Sequence, residues 1–375
     1  MKDKLYFLFL SFVLFCFSCN ANKEKQILSV LERDSIITPN FNVSGFYEND
    51  SGIYFYGLEY DTIYLYKENT EGHFEFDSYV QLPQQYTLNE DISEIKQLVF
   101  INMDSIIIFH RNNIALFSTK QDSILKIFYH SRHFERYDFI ARGSTFLRWN
   151  KHRKTLPIII FQIDYDKRTW RVDTEFLAEF SFEKDTFSIF PVKYPYYPYN
   201  TSMIDYYSKN DALFAFNGDT FVCGFQITPV TYLYNAASGH IDSLYLQNSM
   251  YVPLPEPDTA RIREISYINY MYEVSLEHNF YSTIVYDEYN QVYYRFFSKA
   301  MPRRNAEGLL NTLEDKEFGL TVLDNELQII GDVSWSWEDH RFLTYYPTSK
   351  GLYGYCPPYV YGKTVIFKRK LIYEK

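Results

Sequence analysis

The sequence predicts an all-β protein, a β-propeller of six blades, on three observations. Short runs of β-branched and aromatic residues follow one another along most of the chain. A turn-and-strand signal recurs between them, Asp then Ser or Thr then an apolar residue. And the composition is 20% aromatic, with 37 Tyr, 33 Phe and 4 Trp, side chains that favour pleated, half-buried surfaces.

The runs come in order as Ile53–Tyr56, Thr62–Tyr66, Phe74–Phe76, Ser105–Phe109, Ile158–Phe161, Thr231–Tyr234, Gln291–Phe297 and Thr364–Phe367. Each has period two or is a short apolar stretch of strand length. One segment has helical spacing instead: Leu309, Leu310 and Leu313, within Asn305–Phe318, with Gly308 as its weak point. The turn signal stands at Asp34-Ser35, Asp61-Thr62, Asp104-Ser105, Asp122-Ser123, Asp185-Thr186, Asp219-Thr220 and Asp242-Ser243. An Asp carboxylate accepts from the backbone two residues on and closes a turn, and the apolar residue opens the next strand. These Asp residues therefore read as hairpin punctuation rather than as catalytic acids.

Many short strands with regular turns imply a sandwich, a barrel or a propeller. The stretch from residue 34 to residue 375 has room for six four-stranded blades, somewhat longer than the ~40–50 residues of familiar propeller repeats. Blade centres fall near Tyr54–Leu82, Leu98–Tyr129, Phe139–Phe190, Met203–Leu246, Tyr270–Phe297 and Gly319–Phe367. Seven blades, or two sandwich domains, are the alternatives.

The N-terminus has a different character. Lys2 and Lys4 precede an apolar run from Leu5 to Phe17, the length of a signal h-region and too short to span a bilayer comfortably. It ends in Phe17-Ser18-Cys19. A small residue followed by Cys at this point resembles the lipobox of bacterial lipoproteins, although Cys16 stands where Leu is commonest. That resemblance implies a signal peptide over residues 1–18, a lipid on Cys19 and a flexible tether over residues 19–33. Acyl chains anchor a protein without spanning the membrane.

The lipobox, the length, the Tyr- and Phe-rich hairpins and the stretch from Gly351-Leu352-Tyr353-Gly354-Tyr355 to Phe367-Lys368-Arg369 together resemble uncharacterised Bacteroidota lipoproteins. These are families of unknown function with a six-bladed, TolB-like propeller. The resemblance implies a protein held in the cell envelope by an outer-membrane lipid anchor, on the periplasmic or the surface side, and it brings no established activity.

A net charge of −10 does not suit the phosphate backbone of nucleic acid, so no nucleic-acid partner is expected. Residues 132–154 are the exception in this acidic chain. Arg132, Arg136, Arg142, Arg148, Lys151, Arg153 and Lys154 outnumber Glu135 and Asp138 there, with Trp149 among them. Arg142, Arg148, Trp149, Lys151 and Arg153 are the candidate residues for an anionic ligand, because guanidinium groups meet carboxylate or phosphate bidentately; the same run also reads as a solvated loop. Trp335 and Trp337, two apart on one strand face and followed by Glu338, Asp339 and His340, have the pattern of a sugar-stacking platform and equally of a strand ending in a polar turn. Pro253–Asp258 reads as a stiff, extended connector, and the Tyr–Pro loop at Pro195 and Pro198 as a contact surface rather than a reaction centre.

No metal site or cofactor is expected. His130 and His133 have no third ligand in view, no Cys pair has zinc spacing, and phosphate-binding and nucleophile-elbow motifs are missing. Cys223 lies in an apolar run and reads as a small buried hydrophobe; one pair of Cys223 and Cys356 does not make a disulfide framework. The sequence thus points to a non-catalytic envelope propeller that binds a protein, a carbohydrate or an anionic ligand through its loops. The alternative is a propeller-type glycoside hydrolase or lyase acting on polysaccharide, which needs two carboxylates across a sugar site.

Overall fold

The computed structural model describes residues 27–36, 41, 43–129, 137–139, 147–164, 169–171, 175–193, 212–226, 228–246, 258–312, 315–336, 345–356 and 364–373. Their strands form six small antiparallel sheets, the blades of a six-bladed β-propeller. Blade 1 is β2 (Val43–Asn49), β3 (Gly52–Glu59), β4 (Thr62–Glu68) and β5 (Phe74–Gln81). Blade 2 is β6 (Ile95–Asn102), β7 (Ser105–His110), β8 (Ile114–Ser118) and β9 (Ser123–Phe128). Blade 3 holds five strands: β10 (Tyr137–Phe139), β11 (Leu156–Asp164), β12 (Thr169–Arg171), β13 (Leu177–Ser181) and β14 (Thr186–Ile189). Blade 4 is β15 (Ala212–Asn217), β16 (Thr220–Phe225), β17 (Thr228–Asn235) and β18 (His240–Tyr245). Blade 5 is β19 (Phe280–Asp287), β20 (Val292–Ser298), β21 (Glu317–Leu323) and β22 (Ile329–Ser336).

Blade 6 is composite. Its inner strands β23 (Tyr346–Thr348), β24 (Gly351–Cys356) and β25 (Thr364–Tyr373) are completed by β1 (Ile27–Ile36), which pairs antiparallel with β25 from Ile27↔Tyr373 to Ile36↔Thr364. The ring is therefore closed by hydrogen bonds between its first and last strands. Ile27–Ile36, which overlaps the stretch expected to be a tether, is a strand because it finds a ladder partner in β25.

The core lies between neighbouring blades. One cluster joins Leu58, Ile63 and Leu65 of blade 1 to Leu98, Ile106 and Ile108 of blade 2, and comparable clusters fill the gaps around the ring. Aromatic pairs dominate at the junction of blades 1, 5 and 6, where the ring of Phe46 lies 5.2 Å from those of both Phe55 and Tyr346. Such pairs add ~0.5–1.5 kcal/mol each to the gain from burial. The second strands are buried on both faces, as in β7 and β16, whereas the outermost β5, β14 and β18 are mostly exposed. This is why the second strands read as unbroken apolar runs.

Five of the seven Asp-Ser/Thr signals sit as expected: β4, β7, β9, β14 and β16 each begin at the Ser or Thr. Asp34 and Asp242 lie inside β1 and β18 instead. Two further expectations are corrected. The described residues of Asn305–Phe318 do not form an α-helix. Asn305 accepts from the backbone N–H groups of Glu307 and Leu309, Gly308 adopts φ +80°, and the segment forms a turn leading into β21. Among the described residues the α-helices lie elsewhere, at α1 (Gln84–Asn89), α2 (Thr259–Ile265) and α3 (Tyr267–Glu277). The last two blades also divide differently, since β21 pairs with β20 and belongs to blade 5.

Buried charged groups tie blades together. The Glu68 carboxylate, at the end of β4, accepts from Lys350 Nζ at 2.7 Å, Tyr353 Oη at 2.7 Å and Lys368 Nζ at 3.3 Å, and so fastens blade 1 to blade 6. Burial alone would raise the Glu68 carboxyl, but the hydrogen bonds from Lys350 and Tyr353 and the nearby Lys368 charge outweigh it and hold it below the usual carboxylate range. Between blades 4 and 5, the buried Arg295 guanidinium donates to the carbonyl of Pro229 at 3.1 Å and of Thr228 at 2.8 Å, and lies 3.7 Å from the ring centre of Tyr281.

Candidate functional site

Propellers present loops around a central channel, and loops on a rigid scaffold are where binding groups concentrate. Here a cavity of about 510 Å³ opens on the ring, lined from all six blades. That volume is within the ~300–1,000 Å³ of small-molecule sites. Phe46, Tyr47 and Glu48 come from β2, Leu98–Phe100 from β6, Leu147–His152 from the segment before β11, Phe214–Gly218 from β15 and its turn, Ile284–Tyr286 from β19, and Tyr346–Thr348 from β23.

Arg148 is the residue around which the cavity is organised. The Gln97 side chain holds the backbone on either side of Leu147, accepting from its N–H at 3.2 Å and donating to its carbonyl at 3.4 Å. Asn150 pairs with Thr155 across a β-bridge, and its side chain donates to the Gly218 carbonyl of blade 4 at 2.8 Å. The segment is thus pinned to blades 2 and 4, and Arg148 and Trp149, partly exposed, line the cavity, Trp149 also packing near the Phe182 ring. Arg148 Nη1 makes one long hydrogen bond, 3.4 Å, to the Tyr286 carbonyl. Among the described residues no carboxylate comes within ion-pairing distance of it. Burial pushes its guanidinium below the usual arginine range, opposed chiefly by the Glu288 charge.

The opposite wall is the β19–β20 hairpin. Asp287 is buried, and its carboxylate accepts from the N–H groups of Tyr289 and Asn290, the Asn290 amide and the Tyr294 hydroxyl. This tight turn sets Glu288 and Tyr289 on the cavity. Tyr289 is hydrogen-bonded with Glu48 of blade 1, and burial, then that carboxylate, raises its phenol. Glu48 also accepts from the Ser349 N–H at 2.9 Å and from the Ser349 hydroxyl. Nearby, Asn217 donates to the Tyr286 hydroxyl at 2.9 Å, which donates to Gln291 at 2.9 Å. The floor is shaped by Gly45, where a Cβ would lie 2.6 Å from the Tyr56 hydroxyl and 2.7 Å from that of Tyr346.

The candidates named from sequence separate into groups. Arg148, Trp149 and Lys151 are brought together on the cavity. Arg153 is turned away: it pairs with Glu179 at 2.6 Å and Asp219 at 2.5 Å, bridging blades 3 and 4, and these bonds raise its guanidinium and lower the Asp219 carboxyl. Asp219 also meets His152 at 3.1 Å. Trp335 is buried in the blade 5–6 core beneath the Arg369 guanidinium, 3.9 Å from its ring centre, and offers no platform to a sugar. Arg142, Trp337, Cys19 and the stretches around His130, Pro195 and Pro253 lie outside the described residues. Cys223 is a buried free cysteine whose thiol is pushed up by burial. No cluster of three or more His, Cys, Asp or Glu suited to a metal ion occurs among the described residues.

Glu48, Asn217, Tyr286, Glu288, Tyr289 and Gln291 were not singled out from sequence. What they share is position, at or just past the end of an inner strand. That signal becomes readable only when the blades are correctly divided.

Fold and site together define the class: a six-bladed β-propeller with an arginine-centred cavity at its hub. A family model for a domain of unknown function (DUF4221) matches residues 158–333. The expected likeness to an uncharacterised six-bladed propeller family is borne out. A solved DUF4221 member from Bacteroides vulgatus superposes with a TM-score of 0.63 at 13% identity, over 94% of this chain and 100% of that one. A putative exported protein from Bacteroides fragilis gives 0.47 at 9% identity, over 94% and 97% of the two chains. A luciferin-regenerating enzyme gives 0.46 at 9% identity, over 92% and 95%. No curated protein matches the chain.

Proposed function

We propose that the protein is a non-catalytic binding propeller of the cell envelope, which takes an anionic group into its hub cavity on Arg148. The observation that carries this reading is the Arg148 guanidinium itself, held in a rigid aromatic cavity with a single long backbone hydrogen bond. Most of its donors are left for a guest, and charge-assisted hydrogen bonds are the strong ones. Trp149 and Lys151 stand beside it. Arg153, satisfied by two carboxylates, has a structural role.

The test is a thermal-shift and calorimetric screen of small carboxylates and phosphates against the wild type and Arg148→Gln. Hydrogen bonds to a charged group are worth ~1.5–3 kcal/mol, so the substitution should weaken binding ~10–100-fold. Arg148-independent binding, or the lack of any anion that binds, overturns the reading. Turnover of a polysaccharide, lost in Glu288→Gln, would instead favour the hydrolase or lyase, because Glu48 and Glu288 are both on the cavity.

The envelope location rests on the Phe17-Ser18-Cys19 motif. Cys19 carries the lipid in this reading, and Cys19→Ala should abolish incorporation of labelled fatty acid. Undiminished label on the variant refutes it.

A further inference from the structure

Building on that role for Arg148, we infer that the guest is a hydroxylated monocarboxylate, the chemistry of a sugar acid, rather than a phosphate or a polyanion. The reasoning starts from charge. The cavity carries Arg148 and Lys151 against Glu48 and Glu288, two cations against two carboxylates, and His152 is turned to Asp219. A phosphate dianion brings two negative charges into a confined space whose two cations are already matched by two carboxylates, and like charges there oppose each other more strongly than in water. A single carboxylate satisfies Arg148 bidentately and brings one charge.

The remaining polar groups suit hydroxyls. Glu288 accepts without competing for the anion, and the Asn217–Tyr286–Gln291 chain supplies both donors and acceptors across blades 4 and 5. Trp149 and Tyr289, both partly exposed at the cavity, provide flat apolar faces for the C–H side of a pyranose ring. A purely apolar acid would leave the carboxylate and amide groups of the wall desolvated and unpaired, a cost that discriminates strongly against analogues lacking the hydroxyl. The Glu288 carboxylate, which repels phosphate, thus also reads a sugar hydroxyl.

Calorimetric titration of the intact protein with galacturonate, glucuronate, glucose, glucose 6-phosphate and benzoate tests this, using wild type, Arg148→Gln and Glu288→Gln. A uronate should bind at least ~10-fold more tightly than glucose, glucose 6-phosphate or benzoate, the affinity equivalent of ~1.4 kcal/mol. Arg148→Gln should abolish that preference over glucose. Glu288→Gln should weaken uronate and strengthen glucose 6-phosphate, while the melting temperature of both variants stays near that of wild type. Arg148-dependent binding of glucose 6-phosphate or benzoate as tight as a uronate overturns this inference and leaves the anion-binding role standing. If no anion binds, both fall. Unchanged affinities in Glu288→Gln also overturn the inference, because the carboxylate would then read nothing.

Discussion

Replacing Glu68 by Gln should loosen the ring where it closes. The Glu68 side chain is fully buried, Lys368 beside it is 14% exposed, and Lys350 is 48% exposed. Removing the charge strips the counter-ion from a largely buried ammonium and unbalances the Tyr353 hydroxyl, in a place with little room for water. Breaking one side of a buried ion pair costs ~3–5 kcal/mol. The exposed partner is a built-in control, since Lys350→Met removes a group that already reaches solvent and should cost less than ~1 kcal/mol. In urea, with a slope of ~3 kcal/mol/M for a domain of this size, Glu68→Gln should lower the midpoint by roughly 1–1.7 M. The effect also has a pH signature. The folded carboxyl is held below its usual value of 4.5, so its stabilisation is complete above that value and is lost as pH falls through the folded one. The gap between wild type and variant should be flat from neutral pH to about 4.5 and then narrow. A loss no larger than that of Lys350→Met, or a gap that does not change in acid, would refute the clamp.

Arg153→Met should strand the nearly buried Glu179 carboxylate and cost ~3–5 kcal/mol in urea unfolding, while leaving anion affinity at Arg148 unaltered; a loss of affinity with no loss of stability would return Arg153 to the binding site. Lys316 is 2% exposed and donates to the carbonyls of Ser275 and His278, and burial lowers its ammonium to about 8. Its folded value lies below the unfolded 10.5, so the folded state sheds the proton first and stability attributable to this group should rise between about pH 8 and 10.5. Urea midpoints at pH 7.5 and 10 should show that rise in wild type and not in Lys316→Met; equal slopes would place Lys316 in contact with water. Gly45→Ala should destabilise the hub by pushing on the Tyr56 and Tyr346 hydroxyls, read as a lowered melting temperature, and a neutral result would mean that the floor relaxes freely.

The blades were legible because strand burial is local chemistry. Ile106–Phe109 is apolar throughout because β7 is covered on both faces, and Asp104-Ser105 marks its start because a carboxylate can close a turn within a few residues. The errors fall where tertiary structure overrides local pattern. Tyr270–Glu277, placed inside the fifth blade from sequence, folds as part of α3. Leu309 and Leu310 have helical spacing, but Asn305 and Gly308 turn the chain. The site was half legible. Arg148 and Trp149 stand out as a cation and a large ring in an acidic chain, but nothing local distinguishes them from Arg153, whose partners Glu179 and Asp219 come from other blades. Glu48 and Glu288 are 240 residues apart in sequence and share a cavity only because the ring is circular.

The pairing of β1 with β25 has a consequence for the order of assembly. β1 must wait for β25, which lies far along the chain, and their ten-residue ladder closes the ring. Contacts so distant along the chain close slowly, because the loop entropy is lost before any bond forms. During synthesis β1 is an unsatisfied edge, the kind of surface that recruits foreign strands. A nascent chain therefore carries an aggregation hazard at β1 until β25 emerges, and a truncation before Thr364 makes that hazard permanent.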